Sequence, residues 1–256
     1  MRPGLVSITF RQLLTDEIIA RCSKSGLRAI EWGGDVHVPS GDTETAKRVA
    51  DATCEAGLSV SAYGSYFRLG ASSSTALAFS TVLETAVALG APVIRVWAGN
   101  RASSEADSDW RRTVAADALL CANLAAEHGI AIAYEFHGGT LTDTLESALA
   151  LLVATDHPFI RTLWQPPIGS EMADNLTALR MLAPRLAGIH AFNWGPMGWS
   201  DRRPLVEART LWQTYIGELR TLGFRGDVML EFVPGDDPEI LTHEAAELHF
   251  LLSGTD

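Results

Sequence analysis

Apolar runs of strand length alternate along the chain with longer stretches whose apolar residues recur at spacings of three and four. The two patterns trade places about every thirty residues. In six places a helical stretch closes on Gly or Ala-Gly and an apolar run follows at once: SGLRAIEW, AGLSVSAY, LGAPVIRVW, HGIAIAYE, AGIHAFNW and LGFRGDVMLEF. Glycine adopts the left-handed conformation that ends helices, so each is read as a helix stop and a strand start. Helix-period segments over 43–56, 75–89, 109–128, 205–222 and 238–252 fill the intervals. With VSITF near the N-terminus and RTLWQ in mid-chain, the pattern predicts eight strands alternating with eight helices. Strict alternation implies a parallel sheet, and eight units in 256 residues have the size of a closed (β/α)8 TIM barrel. A doubly wound sheet is the alternative, but no GxGxxG follows the first strand. No Pro/Gly/Ser linker divides the chain, so 1–256 is read as one domain, with 70–75 and 100–109 as loops of the active face.

Strand parity assigns faces. In the fifth strand Ala131, Ala133, Glu135 and His137 share one side, while Ile130, Ile132, Tyr134 and Phe136 share the other. Small residues suit a narrow barrel interior and large ones the helix layer. Glu135 therefore points inward at the C-terminal rim, where barrel active sites are built. In the eighth strand Met229, Glu231 and Val233 oppose Val228, Leu230 and Phe232, so Glu231 is an inward rim residue by the same argument. His190 shares its side with Phe192 and Trp194, and polarity gives no help there.

Charge and cysteines narrow the function classes. A net charge of −11 argues against nucleic-acid binding, which needs clustered Lys and Arg. No run approaches the roughly 20 apolar residues of a membrane span. The N-terminus lacks a basic segment followed by a long apolar run, so a cytoplasmic location is expected. Cys22, Cys54 and Cys121 are read as small buried hydrophobes of a reducing compartment.

Four polar residues, Glu135, Gln165, His190 and Glu231, end four consecutive strand runs. Carboxylate, amide, imidazole and carboxylate make an oxygen/nitrogen cage for one divalent metal, with manganese favoured and magnesium or zinc as alternatives. Two inward carboxylates without a cation would repel each other. The plainer readings are a structural salt bridge for the glutamates, a satisfied core histidine for His190 and a neighbouring hydrogen-bonder for Gln165. His137, two residues beyond Glu135, fits substrate contact or a bond to a loop carbonyl. Glu31 and His37 fit contact with substrate hydroxyls or orientation of a loop equally well. Arg11 and Arg95 also fall near rim positions. Arg202 with Arg203 would hold a carboxylate, phosphate or hydroxyl, or form a solvated pair. Trp97, like Trp32 and Trp194, suits stacking on a sugar face or plugging the barrel, and Tyr63 and Tyr66 fit the same pocket. The acids in VPGDDPE, where barrel phosphate sites commonly form, favour an unphosphorylated substrate.

The strings IEWGGDVH, EFHGGTLTDT, TLWQPP, HAFNW and LEFV resemble the xylose-isomerase-like barrels of the sugar phosphate isomerase/epimerase superfamily, over nearly the whole chain. The resemblance implies one divalent metal held by Glu, Asp, His and Glu after strands five to eight, which correspond to Glu135, Gln165, His190 and Glu231. Gln165 departs from that pattern, and loss of one ligand charge predicts weaker metal retention with a stronger Lewis acid. The resemblance further implies that Glu135 and Glu231 are both ligands and acid/base groups. The implied enzyme is a metal-dependent isomerase or epimerase, moving the proton α to the carbonyl of an unphosphorylated ketose or keto-cyclitol via an enediolate. The first alternative is a dehydratase or lyase eliminating a β-hydroxyl or glycosyl group from a keto-cyclitol or 3-keto sugar. A metal-independent glycosidase and a non-catalytic sugar-binding protein are the others. The apolar helices are compatible with a homodimer.

Overall fold

A computed structural model describes residues 1–71 and 77–254. Eight parallel strands close into a barrel in sequence order: β1 (Arg2–Val6), β2 (Ala29–Gly33), β3 (Ser59–Arg68), β4 (Val93–Trp97), β5 (Ala131–Glu135), β6 (Ile160–Trp164), β7 (Leu186–Ala191) and β8 (Asp227–Leu230). Pairing of β8 with β1 completes the ring. The surrounding helices are α1 (Thr15–Lys24), α2 (Thr43–Glu55), α3 (Phe79–Leu89), α4 (Ser108–Ala126), α5 (Leu145–Ala154), α6 (Met172–Leu182), α7 (Arg209–Thr221) and α8 (Leu241–Ser253). Side chains of Asp42, Asp107 and Thr144 cap α2, α4 and α5 by accepting backbone N–H bonds.

The (β/α)8 barrel is the architecture the periodicity predicts, and several local readings are corrected. Five of the six quoted glycines, Gly26, Gly57, Gly90, Gly129 and Gly223, take φ between 68° and 74° at helix ends. Gly188 does not. It lies inside β7, where a Cβ would meet Leu163 Cδ2 at 2.9 Å, and the preceding helix has already ended at the 3-10 turn Ala183–Arg185. VSITF is only partly a strand, because Ser7–Phe10 forms a 3-10 turn. The Ser7 hydroxyl accepts from Gly33 N–H at 2.8 Å, drawing the chain out of the sheet. The segments 205–222 and 238–252 each begin with a 3-10 turn before α7 and α8, directly after Pro204 and at Pro238. Cys54 is exposed, since α2 buries Ala46, Val49 and Thr53 and the next residue turns outward. Positions 72–75 of the loop at 70–75, and the first two of the helix expected over 75–89, lie outside the described residues.

Two apolar clusters separate the layers. The larger lies between strands and helices and contains Ile132, Tyr134, Val228 and Leu230. The smaller, Val6, Ile8, Ala29 and Met229, lies inside the barrel. Parity thus holds through Glu231 and then breaks. Phe232 has φ 56°, a left-handed conformation uncommon for a bulky residue. That turn sends Phe232 into the cavity and Val233 into the outer core, the reverse of the alternation expected.

Candidate metal centre

The C-terminal strand ends enclose a cavity of about 660 Å³ whose walls include Glu135, Gln165, Glu231, His137, Trp97 and Arg202. Glu135, His190 and Glu231 are buried, and one potential ligand atom from each lies within 4.8 Å of the others. His190 Nδ1 is 3.3 Å from Glu231 Oε2 and 4.0 Å from Glu135 Oε1. The closer contact is not aligned as a hydrogen bond, so Nδ1 and Glu231 Oε2 are both buried without a partner. Gln165 donates its Nε2 to Phe136 O at 2.6 Å, which leaves its Oε1 buried and unpartnered as well. Buried polar atoms are normally paired. Three unpaired electron-pair donors among these four side chains fit a cation that accepts from all of them at once. The donor set of carboxylate, amide and imidazole suits manganese, magnesium or zinc.

A second ring of contacts orients these side chains. Arg95 Nε donates to Glu31 Oε1 at 2.6 Å, and its Nη1 donates to Glu135 Oε2. Glu31 Oε2 in turn bonds His190 Nε2 at 2.9 Å. With Nε2–H committed to a carboxylate, Nδ1 is the nitrogen left to face a cation, an arrangement that fixes ring orientation in metal-binding histidines. Burial pushes the Glu31 pKa up, but the charges of His190 and Arg95 outweigh it and hold the carboxyl down at about 2. Burial alone would lower the His190 pKa, but Glu231 and Glu31 raise it well above the ordinary histidine value. A cation at Nδ1 competes with that proton, so its affinity rises with pH.

Gln165 Oε1 is the only neutral oxygen in the set. Gln165→Asp is expected to strengthen Mn2+ binding by about tenfold or more, since a full charge replaces a dipole. Calorimetric titration with MnCl2 checks this, and an unchanged or weaker affinity would remove Gln165 from the ligand set.

The other residues singled out in the sequence divide into two groups. His137 and Trp97 line the cavity with ring centroids 4.7 Å apart, and His137 Nδ1 also bonds Gly138 O at 2.7 Å. Arg202 lines it too, paired with Asp236, its guanidinium 4.4 Å from the Phe232 ring centroid. Tyr66, Trp194 and Arg11 belong to the same wall. Glu31 and His37 do not reach it. Glu31 lies below, with both oxygens engaged, and His37 is buried against Ser7 and Trp32. Trp32 and Tyr63 are also buried away from the cavity, bonded to Thr53 and to Val38 and Ser40. The loop at 100–109 adds nothing to the lining, and Arg203 pairs with Asp201.

Sequence reading missed the linking role of Arg95 and the bond from Trp97 Nε1 to Glu135 Oε2 at 2.5 Å. A signal was present: in VIRVW, Arg95 is the polar residue between two outward apolar ones, so parity places it inside. The bridge from Arg11 to Asp35 and Tyr66 had no such signal.

Comparison with known proteins places this geometry in context. The xylose isomerase-like TIM barrel family matches residues 19–251. A 3-dehydroshikimate dehydratase from Bacillus anthracis is 25% identical over 193 residues, covering 70% of this chain and 68% of that protein. The crystal structure of a probable 3-DHS dehydratase from Bacillus anthracis superposes with a TM-score of 0.83 at 21% identity, covering 97% of this chain and 99% of the other. A 3-keto-D-glucoside 4-epimerase from E. coli gives a TM-score of 0.76 at 17% identity, covering 99% of both. Among the described residues no helix is long and apolar enough to cross a membrane.

Proposed function

The chain belongs to the xylose isomerase-like TIM barrel family, and on that premise we propose that it is a metal-dependent enzyme removing the proton α to the carbonyl of an unphosphorylated keto-cyclitol or keto sugar. The observation that carries this reading is the set of buried, unpartnered donor atoms on Gln165, His190 and Glu231 beside Glu135. A divalent cation held there, manganese by preference, would polarise the substrate carbonyl and stabilise the negative charge that develops as the proton leaves.

The protein's own groups supply the rest. Glu231 lines the cavity and, on this reading, accepts the proton. His137 lines the cavity with Nδ1 bonded to Gly138 O, which fixes its ring and leaves Nε2 to contact a substrate hydroxyl. Trp97 and Tyr66 meet edge to face at 5.5 Å and give an apolar wall for a ring. Arg11 and Arg202 line the cavity wall as ion pairs with Asp35 and Asp236.

Two fates follow proton removal. Return of the proton gives isomerisation or epimerisation, as in the epimerase neighbour. Loss of a β-hydroxyl gives dehydration, and the likeness to a 3-dehydroshikimate dehydratase favours it here. The test is elemental analysis of the purified protein, paired with NMR in D2O on ketoses, inososes, 3-keto glycosides and 3-dehydroshikimate. Stoichiometric metal with chelator-sensitive α-deuteration or alkene formation is expected. No metal after manganese loading and no exchange would leave a binding protein or a glycosidase.

A further inference from the structure

The two carboxylates of the centre are inequivalent. Glu135 Oε2 accepts from two donors, Arg95 Nη1 and Trp97 Nε1. Only Oε1 is left, and it is the Glu135 oxygen that faces His190 Nδ1, at 4.0 Å. Glu231 turns Oε2 toward the same nitrogen at 3.3 Å and, among the described residues, has no hydrogen bond on either oxygen. A carboxylate that both ligates a cation and moves a proton needs two free oxygens, one for each task. Glu231 has two and Glu135 has one. A substrate proton could reach Glu135 Oε2 only by displacing the Arg95 guanidinium or the Trp97 indole N–H, which occupy it on the buried side of the centre.

We infer that Arg95 and Trp97 are positioning residues that withdraw Glu135 from proton transfer and leave Glu231 as the one carboxylate base, so that chemistry proceeds on a single face of the substrate. This rests on the enolisation reading above and narrows it to a cyclic β-hydroxy ketone undergoing elimination. Glu231 Oε1 takes the α-proton, the C–H electron pair becomes the enolate C=C, and the carbonyl π pair moves to oxygen. In the second step the carbonyl re-forms and the C=C pair shifts to join the α and β carbons. The β-hydroxyl leaves with its bonding pair, takes the proton from Glu231 and departs as water. Inversion at the α-carbon would need a donor on the opposite face, which capped Glu135 does not supply.

The experiment follows the Mn2+-loaded protein in D2O with 3-dehydroshikimate, a 3-keto-D-glucoside and D-fructose as probes. Expected are products of water loss, or recovered probe deuterated with its configuration kept. A solvent-labelled epimer as the main product would overturn the inference. At Mn2+ concentrations that saturate each variant, established by metal titration, Glu231→Gln should lose exchange about a hundredfold more than Glu135→Gln. Equal losses would restore a two-base pair. Trp97→Phe keeps a ring and removes one cap, and it should raise the ratio of inverted to retained label about tenfold. An unmoved ratio would mean that Trp97 only packs. Failure of the wild type to exchange any probe would instead sink the enolisation reading, and this inference with it.

Discussion

Arg95→Met is expected to cost the folded barrel about 3–5 kcal/mol, the penalty for breaking a buried ion pair from one side. Arg95 is 1% exposed and has two carboxylate partners, Glu31 and Glu135. Methionine fills most of the volume but leaves both charges buried, with Glu231 as a third negative group in the same layer. The guanidinium fits because its neighbour across β3 is Gly64, where a Cβ would lie 2.6 Å from Arg95 Nη2. Chemical denaturation with and without MnCl2 measures the effect. A lower midpoint at an unchanged slope is expected, partly recovered by the cation, which supplies positive charge to Glu135. Combining Arg95→Met with Glu31→Gln should cost less than the sum of the two, because the second change removes a charge that the first had stranded. A loss below about 1 kcal/mol would show that the carboxylates do not depend on Arg95.

The barrel was legible because its signal is repetitive. Helix-stop glycines such as Gly57 and Gly129, each followed by a strand run, mark the units without reference to tertiary contacts. Parity likewise placed Glu135 and Glu231 inward, since each alternates with large residues that belong to the helix layer. What local pattern does not encode is which inward groups meet across the barrel. Glu31 and His190 are 159 residues apart in sequence, on strands that do not pair, and their bond arises from closure of the ring. The same holds for Arg95 and Glu31, which lie two strands apart. Glu31 was therefore read as a group for substrate or loop, whereas it lies beneath the cavity as the link between Arg95 and His190. Phe232 escaped for a different reason: alternation holds only while the backbone stays extended, and its positive φ reverses the faces immediately after Glu231.

That link makes Glu31→Gln a test of both stability and metal binding. The folded protein keeps Glu31 ionised down to about pH 2, while its ordinary carboxyl value is 4.5. A depressed pKa means the folded state prefers the charged form, so the stabilisation is complete above 4.5 and is lost as pH falls toward 2. At roughly 1.4 kcal/mol per unit, the contribution is about 3 kcal/mol. Glu31→Gln, compared with the wild type as metal-free protein, should be less stable at neutral pH and lose correspondingly less on acidification, so the two curves converge near pH 2. Curves that stay parallel would show that Glu31 carries no such charge. Metal binding should weaken in the same variant by about 10–100-fold, the usual cost of losing a group that orients a ligand. The reason lies in the two faces of the amide. If its oxygen accepts from His190 Nε2–H, its NH2 points at Arg95 Nε–H, and donor meets donor. If it turns to accept from Arg95, the NH2 faces His190, whose Nε2 must then give up its proton to accept. Nδ1 would become the protonated nitrogen, and the imidazole would present N–H rather than a lone pair to the cation.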